Sequence, residues 1–102
     1  MVQHIVMWKF KPEIKDEDKP ALKADMKKNL LGLKEVIPEI LECKFIEEPL
    51  GSSTHDMALI VNVNCPNCLK KYKDSPLHQD VANTYVRPFV EQRAALDYVV
   101  DM

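Results

Sequence analysis

The sequence predicts an α+β domain laid out in the order β-α-β-β-α-β, and three observations carry that prediction. Four segments, Val2–Lys11, Leu41–Glu48, Met57–Val63 and Gln92–Val100, have the composition and two-residue alternation of strands. Between the first two, Leu22, Met26, Leu30 and Leu33 recur at i, i+4, i+8 and i+11, the spacing of one helical stripe. Between the last two, Pro66 and Pro76 each stand where a short helix can open, because proline is tolerated in a first turn that needs no N–H donor. This order is the split βαβ pattern of a ferredoxin-like antiparallel sheet.

Each element has its own justification. In Val2–Lys11, the even positions Val2, His4, Val6, Trp8 and Phe10 share one face, and Ile5 and Met7 make the other face apolar too. Helices can cover one sheet face only; the second must be hidden by another sheet or another copy. The expectation is that a single copy leaves Val6, Trp8 and Phe10 uncovered. Pro12 ends the strand, and Asp16-Glu17-Asp18 supplies caps and first-turn acids for the long helix. Lys23, Asp25, Lys27 and Lys28 fall mostly off its stripe, on a solvated face, and Gly32 marks its weakening or end. Pro49 to Asp56 is a turn-rich loop. Beyond the third strand come a short helix over Pro66–Lys73 and another from Asp74-Ser75-Pro76 to about Val86, closed by Pro88.

Composition bounds the function. At 102 residues and 46% apolar, the chain is one domain, residues 1–102, with enough apolar side chains for a packed core. A net charge of −2 lacks the basic footprint of a nucleic-acid binder. No run approaches the ~20 apolar residues of a membrane span, and Met1–Phe10 has no secretory pattern, so a cytoplasmic setting without a membrane partner is expected. Two isolated glycines, Gly32 and Gly51, exclude a Gly-rich phosphate loop. Cys43, Cys65 and Cys68 are an odd number, read as reduced thiols.

The residues able to carry chemistry are few. His78 falls at the third position of a helix capped by Ser75, where the positive helix end disfavours the imidazolium and leaves a neutral base. The plainer alternative is a surface or capping histidine bonded to backbone. His4 stands on an apolar strand face, so it is either a hydrogen-bonded core histidine or the lining of a wet cavity. Tyr72 sits three residues after Leu69, which fits core packing or a hydroxyl reaching the cavity of His78. His55 lies in the turn-rich loop and is assigned no role. Glu91, Arg93 and Asp97 read as solvated or interfacial charges. Cys65-Pro-Asn-Cys68 follows a strand and opens a helix, the setting of dithiol redox motifs, but after the third strand rather than an early one. Two cysteines supply half a structural zinc site, so a fortuitous helix cap is the simplest reading and no metal is expected.

His4-Ile5-Val6 with Lys9-Phe10-Lys11, the Tyr72-x3-Pro76-x-His78 segment, Asp56-Met57-Ala58-Leu59, and Arg87-Pro88 with Asp97-Tyr98 together resemble the stress-responsive A/B barrel (Dabb) family over essentially the whole chain. The resemblance implies a homodimer in which two ferredoxin-like sheets pack into a dimeric α/β barrel with the helices outside. It also implies that any activity proceeds without a cofactor. One branch of the family comprises polyketide cyclases. There a tyrosine and a histidine at the positions of Tyr72 and His78 serve catalysis, and the histidine at the His4 position lines the cavity. The sequence departs from that branch at Trp8, where the cyclases carry smaller aliphatics, so the cavity is expected to be smaller. The Cys65–Cys68 motif is not part of the family pattern.

These readings converge on a homodimer binding a small, partly apolar molecule in a pocket lined by His4, Val6 and Trp8, with His78 and Tyr72 as the catalytic pair if it is an enzyme. The alternatives are a cofactor-independent cyclase or lyase using His78 as base, and a purely structural stress-associated dimer.

Overall fold

The computed structural model describes residues 1–100. Four strands, β1 (Val2–Phe10), β2 (Ile40–Ile46), β3 (Met57–Val63) and β4 (Val90–Val99), form one sheet in the order β2-β3-β1-β4. All three pairings are antiparallel. Helix α1 (Lys19–Gly32) links β1 to β2, and α2 (Pro66–Asp74) and α3 (Pro76–Val81) lie between β3 and β4. This is the ferredoxin-like α+β fold. No helix among the described residues is long and apolar enough to cross a membrane.

Strand β1 alternates without a break. Val2, His4, Val6, Trp8 and Phe10 are buried, whereas Gln3, Ile5, Met7 and Lys9 are half-buried. The helices therefore cover the even face, and the expectation that one copy leaves Val6, Trp8 and Phe10 uncovered is corrected. They join Met26, Leu30, Leu59, Tyr72 and Val86 in the core of a single chain. The periodicity separated the two faces properly, but with both apolar it carried no sign of which one the helices take. The open face is the odd one. Strand register sets Ile60, Ile5 and Leu96 in one row across it, with Ala58, Met7 and Ala94 beside them. Leu96 is 61% exposed.

The helical stripe of α1 packs as its spacing requires, with Met26, Leu30 and Leu33 buried and Leu22 half-buried. Asp16-Glu17-Asp18 forms a separate tight turn ahead of the helix, and Asp18 makes no side-chain cap. Gly32 ends α1 with an ordinary right-handed backbone, so the helix tightens into a short turn over Leu33–Glu35 instead of stopping on a left-handed residue. The helix expected to run to Val86 ends at Val81. A wide turn over Ala82–Val86 follows, in which the Arg87 N–H reaches back to the Ala82 carbonyl at 2.8 Å. Such widened turns commonly mark functional sites, and this one lines the cavity described next.

Strand β4 carries a bulge. Met7 pairs with Ala94 and Lys9 with Glu91, so Gln92 and Arg93 together oppose Trp8. Gln92 has φ 51°, the left-handed region that a residue with a Cβ enters at a cost.

Candidate functional site

A cavity of about 240 Å³ lies between the even face of β1 and the α2–α3 segment, opening over the β4 bulge. Its apolar wall includes Val6, Trp8, Leu30 and Leu59. Its polar groups include His4, Tyr72 and His78, and its rim carries Lys73, Arg87 and Arg93. The structure thus brings all five of the residues singled out in the sequence, His4, Val6, Trp8, Tyr72 and His78, to one cavity.

Tyr72 and His78 are in contact, their ring centroids 4.5 Å apart. Local chemistry explains the approach. Pro66 opens α2, whose amphipathic turn buries Leu69 and Tyr72 against the sheet. Ser75 then breaks the chain with extended ψ before Pro76 starts α3. The carbonyls freed at that break are partly used: Lys73 O accepts from His78 Nδ1 at 3.1 Å and from Gln79 Nε2 at 2.6 Å. Because a carbonyl only accepts, His78 carries its proton on Nδ1, and Nε2 holds the lone pair.

Burial lowers the His78 pKa below the ordinary imidazole value, partly opposed by the Lys73 carbonyl bond and reinforced by Arg87, His4 and Arg93. The neutral form expected from a helix end therefore comes first from desolvation. The backbone-bonded alternative is also realised, through one nitrogen only. Burial drives the Tyr72 phenol far above its usual range, with Cys43 acting in the same direction, so it remains a donor.

His4 is 3% exposed, a polar side chain buried in the core. Its Nδ1 bonds Asp97 on the neighbouring strand, which faces it directly in the register. Lys73 Nζ holds the other Asp97 oxygen at 3.1 Å. Burial lowers the His4 pKa despite the upward influence of Asp97. Desolvation acts upward on Asp97, yet its bonds from His4 and Lys73 hold it below the usual carboxylate range. Asp97, expected as a solvated or interfacial charge, is exposed and in addition holds His4 and Lys73. The signal was the alternation of β4: once β1 and β4 pair antiparallel, Asp97 can share a face with His4. Glu91 and Arg93 likewise belong to the cavity lining.

His55, assigned no role from sequence, holds the bulge. Its Nε2 lies 3.1 Å from the Gln92 carbonyl, and Thr54 Oγ1 lies 2.8 Å from its Nδ1. The carbonyl fixes the proton on Nε2, so Thr54 is the donor to Nδ1. Two further findings bear on chemistry. Cys65 and Cys68 are joined in a disulfide, which corrects the expectation of three reduced thiols; Cys43 alone is free. Among the described residues no group of three or more His, Cys, Asp or Glu is arranged to hold a metal ion.

The family model for the stress responsive A/B barrel domain matches residues 2–100. No curated protein sequence matches the chain. Among solved structures, a dimeric protein of unknown function and ferredoxin-like fold from Bacteroides fragilis is similar at 24% identity and TM-score 0.87, over 95% of this chain and 93% of that one. A Dabb family protein from Mesorhizobium loti is similar at 18% identity and TM-score 0.74, over 99% and 97%. The hydroxynitrile lyase of Passiflora edulis is similar at 19% identity and TM-score 0.74, over 98% and 93%. At these identities the likeness is one of fold.

Proposed function

This chain belongs to the stress responsive A/B barrel domain family, and on that premise we propose that it is a homodimeric protein whose cavity binds a small, partly apolar carbonyl compound. Within that reading His78 is the general base and needs no cofactor. The observation that carries it is the Tyr72–His78 contact at the cavity wall, with the His78 proton fixed on Nδ1 by Lys73 O. A neutral imidazole with a free Nε2 can take a proton from an acidic C–H or hydroxyl. A protonated phenol beside it can donate to the carbonyl on which negative charge develops. His4, held by Asp97 through Nδ1, has its other nitrogen to orient a second oxygen.

Volume limits the ligand. About 240 Å³ lies between the ~150 Å³ that admits benzene and the ~300 Å³ at which drug-sized sites begin. A one-ring molecule suits it and a long polyketide tail does not. The reaction class this supports is proton abstraction next to a carbonyl, as in aldol cyclisation, isomerisation or lyase chemistry. A single 102-residue domain in a cytoplasmic setting, paired through the open sheet face, completes the reading. The dimeric state of the Bacteroides fragilis neighbour supports a homodimer.

The test follows hydrogen–deuterium exchange at the carbon next to the carbonyl of acetophenone in D2O by NMR. The protein is expected to accelerate exchange, with the acceleration lost in His78→Ala and reduced in Tyr72→Phe. Equal rates with His78→Ala and the unaltered protein would sink the base assignment. Binding is followed separately through the fluorescence of Trp8, the one tryptophan of the chain.

A further inference from the structure

The Cys65-Pro-Asn-Cys68 motif lies outside the cavity lining, at the start of α2. Cys65 is the N-cap of α2, and the Cys68 N–H points at its sulfur at 3.0 Å. The two Cα atoms are 5.0 Å apart, within reach of a disulfide without backbone movement, and the sulfurs are bonded. Both residues are half-buried, so a small reagent has access to the pair. From this placement we propose that Cys65 and Cys68 form a reversible dithiol–disulfide site that exchanges with low-molecular-weight thiols and disulfides.

Three physical points separate this from a structural staple. A disulfide stabilises mainly by removing freedom from the unfolded chain, and the gain grows with loop length; a bridge between residues three apart closes one of the shortest loops available. The backbone donor on Cys65 Sγ, together with the positive end of the nine-residue helix α2, stabilises a thiolate at Cys65 once the pair is reduced. The remaining cysteine is set apart chemically: burial pushes the Cys43 thiol up to about 11, which leaves it protonated and unreactive at neutral pH.

The exchange balances in two steps. The Cys65 thiolate attacks one sulfur of a small disulfide, its S–S bond breaks, and one small thiolate leaves from a Cys65 mixed disulfide. Cys68 loses its proton and attacks Cys65 Sγ, expelling the second small thiolate and closing the Cys65–Cys68 bond. The dithiol is oxidised and the small disulfide is reduced to two thiols; the reverse sequence reopens the pair.

The test equilibrates the full chain under native conditions in glutathione buffers of graded thiol-to-disulfide ratio. The protein is then denatured, alkylated and weighed intact. Of its three cysteines, one is expected to alkylate at the oxidising end and three at the reducing end, reversibly. In Cys68→Ser, Cys65 is expected to retain one glutathione, whereas Cys65→Ser, whose serine preserves the helix cap, is expected to retain little. Circular dichroism checks that both variants fold. Three alkylated cysteines in excess glutathione disulfide would overturn the proposal. So would a bridge that persists in excess reduced glutathione, which marks a permanent staple. Equal glutathione capture by the two variants would overturn the assignment of Cys65 as the attacking thiol.

Discussion

His4 on β1 and Asp97 on β4 face one another in the strand register and join through a hydrogen bond, although they stand 93 positions apart in the chain. Lys73, from the end of α2, holds the second Asp97 oxygen. One carboxylate thus ties both sheet strands and a helix to the imidazole beneath the cavity. It explains how a polar ring is tolerated on a face otherwise made of Val2, Val6, Trp8 and Phe10.

Two substitutions separate the bond from the charge. Asp97→Ala leaves the buried Nδ1–H of His4 without its acceptor and is expected to destabilise the fold by about 1–3 kcal/mol. Asp97→Asn keeps an oxygen acceptor, so its stability cost should be smaller. It removes the carboxylate that raises the His4 pKa, so the His4 titration should move further down. Urea denaturation reads the first effect and NMR titration of the imidazole the second. A His4 pKa that rises in Asp97→Asn would show that the carboxylate is not its effective partner.

The two cavity histidines also set a pH dependence. Both have folded pKa values lowered below the ordinary 6.5, in each case chiefly by burial. The unfolded chain therefore takes up protons at a pH where the folded chain does not, and stability rises with pH across that window. Their contribution is fully present above 6.5 and is lost as pH falls through the lowered folded values. Denaturation midpoints are expected to be flat from pH 7 to 8 and to fall towards pH 5. In His78→Gln, which keeps a polar side chain but does not titrate, the drop should be shallower.

Most of the fold was legible because its signals are local. The α1 stripe, the β1 alternation and the prolines at Pro66 and Pro76 each declare an element without knowledge of the rest. What was not legible depends on contacts between distant segments. The odd and even faces of β1 are both apolar, and only the packed helices distinguish them. The roles of Asp97, Arg93 and His55 arise from the β1–β4 register, the bulge and a loop crossing. Only Asp97 leaves a trace, in the alternation of β4, and that trace has no partner until β1 and β4 are paired. His78 lay between both cases: its position at the start of a helix was readable, whereas the Lys73 carbonyl that fixes its proton was not.

The bulge yields a third prediction. Gln92 holds φ 51°, where a side-chain-bearing residue costs ~1–2 kcal/mol and glycine does not. Gln92→Gly relieves that strain but gains unfolded-state freedom worth ~0.5–1 kcal/mol, so its net effect should lie between neutral and slightly stabilising. His55→Ala removes the donor to the Gln92 carbonyl and should cost about 0.5–1.5 kcal/mol. It should also loosen Gln92 and Arg93 at the cavity rim, seen as faster amide exchange there than elsewhere in β4. Marked destabilisation by Gln92→Gly would mean that the side chain, and not the backbone turn, matters at this position.

The open sheet face carries the last prediction. Ile60, Ile5 and Leu96 form an apolar row, and beside it Tyr98, Gln3 and Asn62 form a hydrogen-bonded polar row. An apolar centre with a satisfied polar margin is the pattern of an interface that excludes water at its middle. Leu96 is 61% exposed in one chain, so a charge placed there should be harmless to the monomer but should meet the partner in a sheet-to-sheet dimer. Burying a leucine contributes ~1.5–3 kcal/mol. Because only 61% of Leu96 is left to bury, two copies of Leu96→Lys remove ~2–4 kcal/mol, before the cost of burying the ammonium groups is counted. At 1.4 kcal/mol per tenfold change, the dimer should weaken by at least ~20-fold. If the proposed homodimer forms through this face, sedimentation equilibrium is expected to show a dimer for the unaltered protein and a folded monomer for Leu96→Lys at the same micromolar concentration. The cavity lies on the opposite sheet face, so Trp8 fluorescence should be nearly unchanged. A Leu96→Lys dimer as tight as the original would place the contact between copies elsewhere.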